Sequence, residues 1–227
     1  MPRSMLMPVL FFDFDNTLTD GDILDQVIEE FSPNEKWRDW EFSWEQGRLP
    51  ARDCLRLQVE NLRVTREELL ARLSRVRVDP AFSAILAWAR GRGVDVNIVS
   101  DSFVPMIRHI LSVNGIEAVP VFANDLDFAA DRLIPAFPHY DPACGRSANA
   151  KARHLVPYRR NQIVFAGDGH SDLDAALGAD VVFAKSTLAR ELGALSVPFR
   201  PFDTLAPVLN YLQSEFSRRT LGRLRLV

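Results

Sequence analysis

The sequence predicts an α/β fold: a doubly wound, Rossmann-like, mostly parallel sheet with a small all-helical unit inserted after its first strand. Three observations predict it. Short, largely apolar runs (Val9-Leu10-Phe11-Phe12, Val96-Asn97-Ile98-Val99 and Ile163-Val164-Phe165-Ala166) read as strands buried on both faces, as in parallel sheets. From Asp79 onward such runs alternate with segments of helical periodicity, the β-α-β rhythm. Between about Asp22 and Arg77 that rhythm stops, and only helical repeats occur.

In chain order, Ile23, Leu24, Val27, Ile28 and Phe31 repeat at helical spacing. Ser32-Pro33-Asn34-Glu35 reads as a capping box with proline at the first helical position. The helix it opens carries Trp37, Trp40 and Trp44 on one stripe, expected in the core, and stops near Gly47. Leu55, Val59 and Leu62 mark another helix, and Thr65 with Glu68 caps a further one through Leu73. Asp79-Pro80 restarts a helix that leads into a strand from Val94 to Val99. A helix over 104–113 ends at Asn114-Gly115, and Val119 to Ala123 forms a strand. Leu126 and Phe128, then Leu133 and Phe137, alternate about Ala129-Ala130-Asp131 as an antiparallel hairpin, confined to an edge by Pro135 and Pro138. A helix near Asn149 to Leu155, the Ile163 strand, a helix over Leu173 to Leu177, the Val181 strand and a last helix near Leu205 to Leu212 complete the alternation.

A chain of 227 residues is long enough for one α/β core and a smaller unit. A net charge of −3 gives no global argument for nucleic-acid binding, and the basic run Arg218, Arg219, Arg223 and Arg225 reads as a solvated tail. Cys54 and Cys144 lack metal-ligand spacing and suit a reducing compartment. The segment before Val9 is too short in apolar length for a signal peptide, and no later run approaches a membrane span. The expectation is a cytoplasmic protein without nucleic-acid or membrane partners.

The chemistry is expected where strands end. The first apolar run leads into Asp13-Phe14-Asp15, the second into Ser100, and the third through Gly167 into Asp168. Open α/β sheets bind ligands at such carboxyl ends. Each aspartate alone is equally a turn residue or helix N-cap. Together, if the strands are neighbours, they form a crowd of anions that calls for a cation.

Asp13-Phe14-Asp15-Asn16-Thr17, the strand-terminal Ser100, Lys151 before a late strand, and Gly167-Asp168-Gly169-His170-Ser171-Asp172 resemble, in order, the four motifs of the haloacid dehalogenase superfamily. The resemblance implies an α/β core of residues 1–20 and 79–227 with a helical cap of residues 21–78. It implies a Mg²⁺-dependent phosphatase in which Asp13 is the nucleophile and Asp15 the proton donor and then the base. Ser100, Asp101 and Lys151 would bind phosphate; Asp13, Asp15 through its carbonyl, and Asp168 would hold Mg²⁺, with Asp172 behind them. Asp22, also readable as an N-cap, and Arg56, also readable as a solvated helix residue, are candidate substrate contacts. Asn16 stands where the family commonly has glycine.

Within the superfamily the chain is similar to the phosphoserine-phosphatase-related branch. The segments Cys54–Val59 and Phe137–Gly145 are most similar to methionine-salvage members that act on hydroxy-keto-methylthiopentenyl phosphate. A small phosphorylated metabolite is the implied substrate. The alternatives are phosphoserine phosphatase, a phosphotransferase using an alcohol acceptor, a signalling receiver domain and a catalytically silent binding module. A receiver domain is smaller, lacks the early helical segment and carries its phosphorylated aspartate on a later strand.

Overall fold

The structure, a computed structural model, describes residues 7–129 and 132–224. In chain order its strands are β1 (Pro8–Phe12), β2 (Val96–Phe103), β3 (Val121–Ala129), β4 (Arg132–Ala136), β5 (Gln162–Gly167), β6 (Val181–Ala184) and β7 (Arg200–Pro201). They form one sheet in the order β4-β3-β2-β1-β5-β6-β7, parallel except for the β3–β4 hairpin. Part of that hairpin's tip, Ala130 and Asp131, lies outside the described residues.

β1 is central because all five of its residues are buried, with no polar face to offer water. Its side chains alternate between two cores, as the period of two requires. Leu10 and Phe12 join α5 (Pro80–Arg90), α6 (Val104–Val113) and α10 (Ala206–Leu224) through Phe82, Ile107 and Val208. Val9 and Phe11 face α7 (Ala152–Leu155), α8 (Leu173–Leu177) and α9 (Ser186–Ala194) through Leu155, Ala175 and Leu188.

Between β1 and α5 lie α1 (Ile23–Phe31), α2 (Lys36–Glu45), α3 (Ala51–Asn61) and α4 (Arg66–Leu73). Ile23, Leu24, Val27 and Ile28 of α1, Val59 of α3 and Leu69 and Leu73 of α4 join the same core as Phe12, so this inserted segment shares a hydrophobic cluster with one face of the sheet. The Thr65–Glu68 capping box forms in both directions. Asp79 caps α5, with Pro80 in its first turn.

Four local expectations are corrected. Ser32 does not open α2; it closes α1, its hydroxyl is buried without a partner, and α2 starts at Lys36 with no side-chain cap. Trp37, Trp40 and Trp44 are half-buried rather than core, and α2 buries no residue. Its charged residues Lys36, Arg38, Asp39, Glu41 and Glu45 leave it too little apolar surface to sink. β2 runs on to Phe103 with an irregular register after Val99, beside Ser100 and Asp101. The helix expected from Asn149 begins only at Ala152, because residues 147–150 are held in a loop. Side chains of the basic C-terminal run lie outside the described residues.

Candidate active site

The chain leaves β1 for β2 on one side and later enters β5 on the other, so a crevice opens beyond the carboxyl end of β1. Asp13 N–H donates to the Ala166 carbonyl at 2.9 Å, carrying the ladder one step past β1. Asp13 and Asp15 stand at the end of β1, Ser100 and Asp101 in β2, and Asp168 just after β5. The strand adjacency expected from sequence is therefore present, and these residues line one cavity of about 480 Å³ together with Lys151 and Asp22.

Lys151 is the hub. Its side chain is 2% exposed, and Nζ donates to Asp13 Oδ1 and to Asp172 Oδ1, each at 2.7 Å. Burial works against the ammonium charge, but Asp13, Asp172 and Asp101 more than offset it and hold the proton well above the ordinary lysine value. Asp172 Oδ2 accepts from the Asp168 and Gly169 N–H groups at 3.0 Å. Asp174, in the first turn of α8, meets Cys144 and Arg146. Asp172 thus clamps the loop after β5 onto Lys151. A Cβ at Gly167 would lie 2.6 Å from the Asp172 carboxylate, so glycine is required there.

The loop that delivers Lys151 hangs on Asp101. Its carboxylate accepts from Ser147 Oγ at 2.7 Å, Ala148 N at 2.9 Å and Asn149 N at 3.2 Å. The Asn149 amide donates to the Ser100 and Phe122 carbonyls, and its oxygen meets His154 Nε2 at 3.1 Å. Ala150 then takes φ +45°, a left-handed conformation. The structure therefore gives the Asp101 carboxylate a task other than the expected phosphate contact: both oxygens are occupied, and a carboxylate would repel a phosphate.

Asp168 Oδ2 accepts from Asn16 Nδ2 at 2.7 Å and Oδ1 from Thr17 Oγ1 at 3.1 Å. Asn16 sits at φ +50°, a left-handed conformation that asparagine tolerates. Burial first, and then Asp172, push the Asp168 carboxyl up to about 6. Burial and Asp172 also hold Asp13 well above the ordinary carboxyl range, with Lys151 opposing them. Asp15 is raised by burial and Asp22; its Oδ1 accepts from Ile23 N at 3.1 Å.

Asp13, Asp168 and Asp172 each place a carboxylate oxygen within 4.8 Å of the others. One ammonium among three carboxylates leaves net negative charge, and an all-oxygen donor set is the chemistry that suits Mg²⁺. Asp172 is fully buried and held by the Lys151 ammonium and two backbone N–H groups, whereas Asp168 is bonded only by the neutral side chains of Asn16 and Thr17, so Asp13 and Asp168 are the carboxylates that fit the ion.

Asp22 caps α1, accepting from Asp25 N at 2.9 Å, and lines the cavity as well. Arg56 does not reach the cavity. It is paired along its own helix with Asp53 and Glu60, because its position on α3 faces away. Sequence reasoning assigned nothing to Asn16, Thr17, Ser147 or Asn149. Asn16 and Thr17 were signalled by their place in the first motif; the others, placed by long-range packing, had no local signal. Both cysteines are free, and among the described residues no helix is long and apolar enough to cross a membrane.

A carboxylate-rich crevice at the switch point of a parallel sheet, with a buried lysine bridging two of its acids, defines an α/β enzyme whose chemistry is done at strand ends. The chain belongs to the haloacid dehalogenase-like hydrolase family, whose family model matches residues 10–177. It is 28% identical over 217 residues to a 2-hydroxy-3-keto-5-methylthiopentenyl-1-phosphate phosphatase of Brevibacillus brevis, covering 90% of this chain and 95% of that one. To a polyol phosphate phosphatase of Saccharomyces cerevisiae it is 25% identical, over 90% of this chain and 92% of the other. A solved phosphoserine phosphatase, an analogue of the phospho-aspartyl intermediate, superposes with a TM-score of 0.69 at 21% identity, over 91% of this chain and 98% of that one; this likeness is one of fold.

Proposed function

We propose that this phosphatase of the haloacid dehalogenase-like family hydrolyses a small phosphorylated metabolite with Mg²⁺, through an aspartyl-phosphate on Asp13. The observation that carries the reading is the buried Lys151 bridge between Asp13 and Asp172 at 2.7 Å. It holds one Asp13 oxygen and leaves the other to attack. Asp13 attacks phosphorus and the ester P–O bond breaks; Asp15 supplies the proton that the leaving oxygen takes. Its raised pKa suits a carboxyl that must start protonated. Asp15 then accepts a proton from water, whose oxygen displaces Asp13 and releases phosphate. The Ser100 hydroxyl and Lys151 bind the phosphoryl oxygens. Asp13 and Asp168, with the Asp15 carbonyl, would hold Mg²⁺, which supplies positive charge to the phosphoryl group when bound.

Helices α1–α4 act as the cap of residues 21–78 over a core of 1–20 and 79–227. A roof supplied by Asp22, Leu24, Trp44 and Leu55 above a 480 Å³ cavity supports this division. The substrate class best supported is a methionine-salvage type enol-phosphate. Leu24, Ala51, Cys54 and Leu55 give one wall an apolar stretch fit for a thioether tail, and burial holds the Cys54 thiol at about 12, inert as a nucleophile. Phosphoserine fits less well, since Arg56 is turned away from the cavity.

The test is turnover of a generic aryl phosphate with and without Mg²⁺, followed by a panel of enol, keto, polyol and amino phosphates and folded phosphoproteins. Mg²⁺-dependent release of phosphate, with a preference for the enol-phosphate and none for folded phosphoproteins, is expected. No Mg²⁺-dependent turnover of any ester would overturn the reading.

A further inference from the structure

His170 is the cavity-wall group for which the proposed chemistry has no use. It follows Asp168 by two residues in a single 3₁₀ turn (His170–Asp172), and its ring lines both the 480 Å³ cavity and an adjoining hollow of about 370 Å³. Two contacts fix the ring. Nδ1 is bonded to Glu191 Oε1 on α9, and the ring meets Trp44 of α2 edge-on, with centroids 5.8 Å apart and planes at 71°. Glu191 Oε2 is buried with no partner, so the His170 bond is the anchor of that carboxylate. A carboxylate half-withdrawn from water on one imidazole nitrogen is an orienting device. A histidine free in solvent has no need of one.

With Nδ1 committed, Nε2 is the ring's remaining polar atom, and it has no protein hydrogen-bond partner among the described residues. His170 lines the same cavity as Asp13, Asp168 and the residues Asp22 and Glu41 of the inserted helices. We propose that His170, oriented by Glu191, is a specificity-determining residue that hydrogen-bonds an oxygen of the leaving group. The site then favours phosphomonoesters whose leaving group carries a hydroxyl near the ester. With the Nδ1 proton donated to the Glu191 carboxylate, Nε2 is an acceptor for a hydroxyl, which a plain hydrocarbon or aryl group does not carry. Trp44 places the same ring against the cap, so the reader of the leaving group and the roof above it are set by one contact. The inference deepens the phosphatase reading and rests on it.

The experiment compares kcat/KM for dihydroxyacetone phosphate with that for phenyl phosphate in wild type, His170→Phe and Glu191→Gln, each with Mg²⁺. Phenylalanine keeps the edge contact with Trp44 but removes both nitrogens; glutamine keeps a partner for Nδ1 but loosens its hold. Wild type is expected to prefer the hydroxyketone ester. The ratio should fall about tenfold in His170→Phe, the effect of one neutral hydrogen bond, and by less in Glu191→Gln. An equal loss on both esters, as from a structural defect, overturns the proposal. So does an unchanged ratio, or a wild type that prefers phenyl phosphate. Failure of wild type on every ester would instead strike at the phosphatase reading itself.

Discussion

The floor and the roof of the cavity are both lined with carboxylates, yet they are held in opposite ways. On the floor, Asp101, Asp168 and Asp172 have both oxygens bonded and Asp13 is locked to Lys151; every partner is a backbone group or a side chain on a strand end or a short loop. In the roof, Glu41 accepts a single bond from Gln58, Asp22 caps its own helix, and Glu45 belongs to a helix that buries nothing. Saturated bonding fixes atoms to fractions of an ångström, as phosphoryl transfer demands, while a loosely bonded wall adapts to the rest of the substrate. Chemistry and selectivity are therefore separable, and substitutions should sort accordingly.

The largest expected effect is at the floor. Asp13→Asn should lower kcat by roughly 10⁴-fold or more, as loss of a nucleophile does, with the fold intact because the volume is unchanged. Wild-type turnover by the purified variant would remove the covalent step. Next comes Asp101→Ala, which removes a carboxylate bonded to residues 147–149. It frees the three donors of residues 147–149, and a displaced Lys151 should cost about 10²-fold in kcat with a smaller change in KM. An unchanged kcat would show that the loop holds itself.

A subtler effect sits behind that loop. Burial first, and then neighbouring His139, lower the His154 pKa from 6.5 to about 4. A depressed folded-state value means that neutral His154 contributes its full stability above pH 6.5 and loses it as pH falls through about 4. The melting temperature of His154→Gln relative to wild type should therefore rise as pH is lowered across that window; a constant difference would show that His154 does not titrate on unfolding. The smallest effect belongs to the exposed face of α3. Arg56→Ala removes only exposed ion pairs, and should change stability by no more than about 0.5 kcal/mol and kcat/KM by less than about twofold. A larger loss in KM would bring Arg56 back as a substrate contact.

What the sequence by itself determined is what local chemistry decides. An unbroken apolar run must be buried on both faces, which made β1 central. A threonine three residues before a glutamate closes a reciprocal cap, and Asp79-Pro80 starts a helix wherever it stands. Aspartates at strand ends could be placed in one crevice once parallel order was granted. Tertiary structure decided the rest, because it depends on partners far apart in the chain. Lys151 reaches Asp13 across 138 residues, and the loop that aims it is tied to Asp101 from 46 to 48 residues away. Nothing near Asp101 in sequence announces those donors. Ser32 and the tryptophan stripe show the converse: a cap and an apolar face were written locally, but the burial that would have used them was taken by α1, α3 and α4. Local propensities amount to about 1 kcal/mol per cap, and packing against the sheet outweighs them wherever the two compete.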